Sequence, residues 1–369
     1  MSLGAVSPTF AAAELSLSPP QDVTPLRVLI LGGTGFIGPH QVRYAMSRGH
    51  TVTLFNRGRT NPGLFPEVEK LRGDRDGDLE ALRGREWDVV LDNSGYLPRL
   101  VRDSAQLLKD SVGRYLFVSS ISVYDTTLTP GQDVDEAPIL TMEDPTLEPE
   151  NLGQYYGPLK ALCEEEVREA FGDRAINVRP GLITGPGDPT DRIRHWIARM
   201  DRGGEILVPG KPTDPVQYID ARDLTGWSVR MLEQGDSGTF NGTGPDAPIP
   251  MAALVHGIRA TFSGDSTLTW VDEEFLAERE FPGFSYMPWL PSNSDMAAFN
   301  YINISRSLAT GLTFRPLATT AFDMREEYRA STETEGPQGF GRRGGVSWER
   351  EAELLEEWHG EVGLPRLDS

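Results

Sequence analysis

Short strand-like runs, unbroken apolar at Val28–Leu31 and Tyr115–Val118 and interrupted by polar residues at Thr51–Phe55, Val68–Arg72, Trp87–Leu91 and Ile176–Arg179, recur through the first half of the chain. Runs of this length and continuity read as parallel strands covered on both faces. Between them, Phe36–Ser47 and Leu97–Ser111 show helical spacing, the second through Leu100, Val101, Leu107 and Leu108. Strand and helix in alternation predict an α/β fold, a Rossmann-type doubly wound parallel sheet. Beyond Asp188 the alternation becomes irregular, with short strands expected at Ile206–Val208, Thr239–Asn241 and Leu268–Val271. This predicts a smaller C-terminal α+β part.

Four regions follow. Residues 1–25 are a disordered leader, 26–185 a nucleotide-binding domain to which segments around 212–244 pack back, 186–330 mainly a substrate-binding part, and 331–369 a linker and terminal helix. The linker is the Arg- and Gly-rich piece Gly336–Gly345. The helix spans Glu349–His359, with Ala352, Leu354, Leu355 and Trp358 as the apolar side that docks on the body or on a partner. Phe281–Trp289 is rich in aromatic residues and proline without a clear period, and suits a lid, an interface patch or a packed loop equally.

The turn after the first strand carries the first chemical signal. Gly32-Gly33-Thr34-Gly35-Phe36-Ile37-Gly38 lies between a strand and a helix, one residue different in spacing from the dinucleotide fingerprint. Gly32 suits a tight exit from the strand, Gly35 a close ligand approach, and Gly38 close packing of the helix. Free amides at the helix start suit a pyrophosphate, and Pro39 is tolerated there because first-turn amides lack intrahelical partners. Asn56-Arg57-Gly58-Arg59 closes strand two, where a carboxylate usually accepts from the adenosine ribose. Guanidinium donors and no carboxylate at that end favour a 2′-phosphate, so NADP is expected, with NAD the alternative. Asp74 and Arg75 are placed to touch an adenine edge. Asn93, Ser94, Ser119 and Pro180 follow later strands at the same rim, where ligands of such sheets sit.

Ser120 alone reads as a turn former. Tyr156 and Lys160, four apart, share one helix face, and an ammonium beside a phenol lowers its pKa toward usable acid/base chemistry. Tyr155 leaves a question of register, but only Tyr156 has a lysine four residues on. Cys163 lies on an apolar face and reads as a buried structural thiol. Arg192, Arg194, His195 and Trp196 form a polar cluster that suits either an anionic or sugar substrate or a solvated helix face.

Taken together, GGTGFIG at 32–38, Ser120, Tyr156-x-x-x-Lys160, Arg179-Pro180-Gly181 and Tyr218–Asp223 resemble the extended short-chain dehydrogenase/reductases, and more narrowly their NAD-dependent epimerase/dehydratase branch, over about Leu26–Gly244. The resemblance implies Tyr156 as general acid/base, Lys160 binding the nicotinamide ribose and tuning Tyr156, and Ser120 bonding the reacting oxygen. It also implies hydride transfer at an alcohol or ketone carbon of a sugar-like or nucleotide-sugar substrate, by an epimerase or reductase. Sugar-nucleotide dehydratases carry an Asp-Glu pair right after the rim hydroxyl, where this chain has Ile121-Ser122, so dehydration is disfavoured. The opening glycine turn and strand-two end also resemble the chloroplast stem-loop RNA-binding proteins, which makes a non-catalytic nucleotide-binding module the alternative.

Composition narrows the partners. The chain of 369 residues has a formal charge of −20, so nucleic acid and anionic membranes meet net repulsion. No apolar run reaches the roughly 18–20 residues of a membrane span. One cysteine and five scattered histidines provide no disulfide framework and no metal-ligand spacing, so no metal is expected. A small-molecule substrate is the expected partner, and a homodimer is left open. A cytoplasmic location is expected; the alternative is export, should residues 1–25 be the remnant of a secretory signal, since Phe10–Ala13 resembles the small-residue end of one.

Overall fold

The first strand sets the architecture. In Arg27–Leu31 (β1), Val28 and Ile30 enter one core and Leu29 and Leu31 another. A run that is apolar at every position is thus explained by burial on both sides. A computed structural model describes residues 23–281, 286–335 and 345–363. The expected leader, save its last three residues, and the linker at 336–344 lie outside this range.

Around β1 stand Thr51–Asn56 (β2), Glu69–Arg72 (β3), Trp87–Asp92 (β4), Val112–Val118 (β5) and Ala175–Pro180 (β6). With strand Gly238–Gly242 they form a seven-stranded sheet, in the order Gly238–Gly242, β6, β5, β4, β1, β2, β3, and every pairing is parallel. Each parallel step needs a crossover, and the helices that supply them cover both faces. Gly38–Ser47 (α1) buries Val42 and Ala45 on one face, while Pro98–Leu108 (α2) and Tyr156–Phe171 (α3) bury Val101, Leu108, Cys163 and Val167 on the other. This is a Rossmann-like α/β fold. The chain reverses direction across the sheet between β1 and β4, which places a crevice beyond their carboxyl ends.

Strand Gly238–Gly242 pairs with β6 and closes the main sheet, so the strand expected at Thr239–Asn241 lies with the segments around 212–244 that pack back on the first domain rather than in the smaller part. Its register runs from Gly238 opposite Ile176 to Gly242 opposite Pro180. Helix Ala221–Gln234 (α5) precedes it and packs on α1. Asp220 caps α5 by accepting from Arg222 N–H at 2.8 Å, and Gly235 ends it in the left-handed region.

A second core lies beside the sheet. Arg194–Arg202 (α4) and Met251–Arg259 (α6) pack with the parallel pair Gly204–Pro209 and Ser266–Val271 and with helix Leu317–Glu335. Leu317–Glu335 runs on beyond residue 330. The terminal helix, Trp348–Val362, docks on the body: Leu354 and Leu355 enter this core, and buried Glu351 pairs with Arg199 at 2.6 Å. Phe281, Tyr286, Met287 and Trp289 belong to the same core, so the described part of the aromatic and proline-rich segment is packed inside.

Candidate active site

The first feature of the crevice is the glycine turn. Gly32 has φ +108°, a backbone state that side chains rarely adopt, and its N–H donates to Phe55 O at 2.9 Å. A Cβ on Gly38 would strike the backbone of Gly33. The close approach expected at Gly38 is therefore between the helix and its own turn. A Cβ on Gly35 would meet nothing within 4 Å, which leaves the space above it open. α1 has no side-chain cap, Pro39 brings no N–H, and the His40 and Gln41 amides donate to Ile37 O at 3.1 and 3.2 Å, so of its first turn the Gly38 N–H is the one left to meet an anion. Thr34, Gly35, Phe36, Ile37 and Gly38 all line one cleft of about 1040 Å³. A smaller cavity of about 430 Å³ lies between α1 and α5.

At the end of β2, Asn56 is engaged within its loop. Its Nδ2 donates to Gly32 O at 3.3 Å and its Oδ1 accepts from Gly58 N at 2.9 Å. Arg57 and Arg59 face the cleft, exposed and without a carboxylate partner among the described residues. Gly58, with φ +70°, has the Arg72 guanidinium lying where a Cβ would stand. Sequence reasoning did not single out Arg72, because nothing local in Glu69–Arg72 says that its last side chain folds back over the β2 loop.

Asp74 and Arg75 also border the cleft, but the Arg75 guanidinium is directed inward. It donates to Asp92 Oδ1 at 2.7 Å, to Ser104 Oγ at 2.6 Å and to Leu100 O at 3.3 Å. Tyr115 Oη donates to the other Asp92 oxygen at 2.6 Å, so the fully buried carboxylate is held on both sides. Asn93 and Ser94 line the cleft, their side chains joined to Gln41 and to Leu31 O. Ser119 is buried at the rim, and its Oγ has no partner among the described residues.

Ser120, Tyr156 and Lys160 converge on this cleft. Ser120 caps the short helical turn Ile121–Val123, its Oγ accepting from Ser122 N at 3.1 Å. Tyr156 opens α3 and lines the cleft with Lys160 one turn on, whereas Tyr155 is not among the lining residues. Burial holds the Tyr156 phenol above the ordinary tyrosine value, with neighbouring Tyr96 adding to the rise, while a hydrogen bond with Ser120 and the charge of Arg192 work against it. The direction is opposite to the lowering expected from a neighbouring ammonium, and burial is its largest cause. Lys160 is 2% exposed, and burial pulls its ammonium down to about 8. Its Nζ donates to Val118 O at 2.7 Å and lies 4.6, 5.0 and 6.0 Å from the ring centres of Phe117, Tyr96 and Tyr156. Burial lifts Cys163 to about 12, in keeping with a structural thiol.

Of the arginine–histidine cluster, only Arg192 lines the cleft. Trp196 is fully buried with its indole N–H on Met287 O, and His195 is buried and pushed down to about 3. That face of α4 is therefore core rather than solvated. Sequence reasoning also missed Tyr96, whose ring centre is 6.3 Å from that of Tyr156. Pro180, Gly181, Leu182 and Ile183 form one wall. The far wall is largely apolar, with Met287, Leu290, Met296 and Phe299.

Residues 28–90 and 98–243 match the NAD dependent epimerase/dehydratase family. The chain belongs to that family. As a member it has an NAD(P)-binding Rossmann fold of the short-chain dehydrogenase type, in a family of oxidoreductases and epimerases. The chain is 27% identical over 259 residues to dTDP-4-dehydro-6-deoxy-D-allose reductase of Streptomyces bikiniensis, covering 59% of this chain and 76% of that one. It is also 27% identical over 237 residues to the chloroplast stem-loop binding protein of 41 kDa b of Arabidopsis thaliana, covering 59% and 58%. The structure of UDP-glucuronic acid 4-epimerase from Bacillus cereus in complex with NAD superposes with a TM-score of 0.60 at 16% identity, covering 84% of this chain and 98% of that one. Among the described residues, no helix is long and apolar enough to cross a membrane and no group of side chains forms a metal site.

Proposed function

We propose that this protein is an NAD(P)-dependent reductase or epimerase acting on an alcohol or ketone carbon of a sugar-like substrate, with Tyr156 as general acid/base. The observation that carries the reading is the meeting of Tyr156, Ser120 and Lys160 in the cleft that also holds the glycine turn. The residues present fit a dinucleotide. The space over Gly35 is open, the Gly38 N–H stands at the start of α1, and the buried Ser119 hydroxyl lacks a partner among the described residues. When bound, the nicotinamide would supply or accept a hydride at the carbon bearing the reacting oxygen.

In the reducing direction Tyr156 Oη passes its proton to that oxygen, and in the oxidising direction it accepts one. Ser120 Oγ, beside Tyr156, is placed to hold the same oxygen. Lys160 contributes a cation next to the phenol and so favours the phenolate. Arg192 presents a positive charge to the substrate side, while the apolar far wall excludes water. Arg57 and Arg59, with Arg72 folded over the same loop, favour NADP through pairing with a 2′-phosphate. The chemistry is tested by Tyr156→Phe, which is expected to abolish turnover of a nucleotide sugar or sugar ketone and to leave cofactor binding intact.

The likeness to a stem-loop binding protein motivates a second reading, a nucleotide-binding module without chemistry. Retention of Ser120, Tyr156 and Lys160 in one cleft favours the enzyme, and the charge of −20 opposes a polyanion partner. A screen of sugar nucleotides and ketones at the nicotinamide absorbance band separates the two, since the second reading predicts no change with any of them.

A further inference from the structure

The cavity between α1 and α5 is separate from the glycine-turn cleft, and the proposed reaction makes no use of it. Its volume, about 430 Å³, lies within the ~300–1,000 Å³ typical of small-molecule sites. Four guanidiniums line it: Arg43 from α1, Arg222 and Arg230 from α5, and Arg315. Two are neutralised. Arg222 pairs with Asp220 and Asp323, and Arg315 with Asp223 and Asp220.

The other two have no carboxylate partner among the described residues. Arg230 donates to Tyr44 Oη at 3.2 Å and to Gly311 O at 2.9 Å, and Arg43 lies over the Phe65 ring at 5.4 Å. Because Tyr44 Oη accepts from Arg230, its own proton is free to point into the cavity. Gly226, in the middle of α5, lies against the same two side chains. A Cβ there would meet the Tyr44 ring and Arg230 Nη1 at 3.4 Å.

Two arginines without carboxylate partners among the described residues thus line one cavity from different helices, and an anion held between them would gain from both charges. We propose that this cavity binds a small molecule carrying a phosphate group, held by Arg43 and Arg230 with the Tyr44 hydroxyl as a further donor. Guanidinium forks match phosphate oxygens in geometry as well as in charge.

The experiment is a calorimetric titration of the full-length protein with pyrophosphate, in the wild type, in Arg43→Gln/Arg230→Gln and in Gly35→Ala, which alters only the glycine-turn cleft. The expected result is a binding site that weakens by about tenfold or more in Arg43→Gln/Arg230→Gln and stays within about twofold in Gly35→Ala. Arg43 is exposed, so Arg43→Gln alone serves if the double variant does not fold, with a several-fold loss expected. Absence of binding to the wild type, unchanged affinity in the arginine variant that folds, or a loss confined to Gly35→Ala would overturn the proposal.

Discussion

Lys160 Nζ lies 6.0 Å from the centre of the Tyr156 ring, and the closest acceptor on its ammonium is the carbonyl of Val118 at 2.7 Å. The cation is thus fixed by β5 and faced by Phe117 and Tyr96 before any ligand arrives. It is near enough to influence the phenol yet tied to the sheet.

If Tyr156 is the proton donor, Tyr156→Phe removes only an oxygen. Turnover is expected to fall by about 10²–10⁴-fold, the usual range for a general acid/base. The NADPH dissociation constant, read by fluorescence titration, is expected to stay within about twofold. Undiminished kcat would remove Tyr156 from the chemistry.

Lys160 also predicts a pH effect on stability. Its ammonium sits near 8 in the folded chain against an ordinary value of 10.5, so between those limits the unfolded chain binds more protons. Stability from this group is therefore lowest below about 8 and rises from there toward 10.5. Lys160→Met abolishes that slope. Denaturant unfolding at several pH values from neutral to alkaline is expected to show the wild type gaining on the variant as pH rises, and a constant difference would contradict the assigned burial effect.

Gly35 and Gly38 separate binding from folding. Gly35→Ala places a methyl group in open space, so the melting temperature is expected to hold while NADPH affinity falls by tenfold or so. Gly38→Ala drives a methyl group into the backbone of Gly33, and a loss of about 1–3 kcal/mol or more is expected by chemical denaturation. Equal behaviour of the two variants would mean that the turn does not cradle the cofactor.

Arg57→Ala tests the cofactor preference. Losing a charge-assisted contact to a 2′-phosphate should weaken NADPH by about 1.5–3 kcal/mol and leave NADH almost unchanged. Parallel losses for both would argue against a 2′-phosphate at this loop.

For Arg75, the buried pair with Asp92 makes a structural prediction. Arg75→Ala leaves the Asp92 carboxylate without its cation in the core, which is expected to cost about 3–5 kcal/mol of stability. A stable variant with weakened cofactor binding would instead restore the contact with an adenine edge.

The amino-acid sequence by itself determined the sheet's six leading strands, the glycine turn, and the shared helix face of Tyr156 and Lys160, because apolar continuity, backbone freedom and a four-residue helical spacing are all local properties. It did not decide where long side chains go. Arg75 finds Asp92 17 residues on, Lys160 finds Val118 42 residues back, and Tyr96 meets Tyr156 only because β4 ends and α3 begins at one crevice. Likewise the return of the segments around 212–244 to the first domain was expected, but only the pairing beside β6 shows that Gly238–Gly242 joins the main sheet as its edge strand. His195 and Trp196 look polar or amphipathic in the chain, yet the second core, completed by Tyr286 and Met287, closes over them. Partners distant in the chain are chosen by packing and desolvation, and these act only once the layers have assembled.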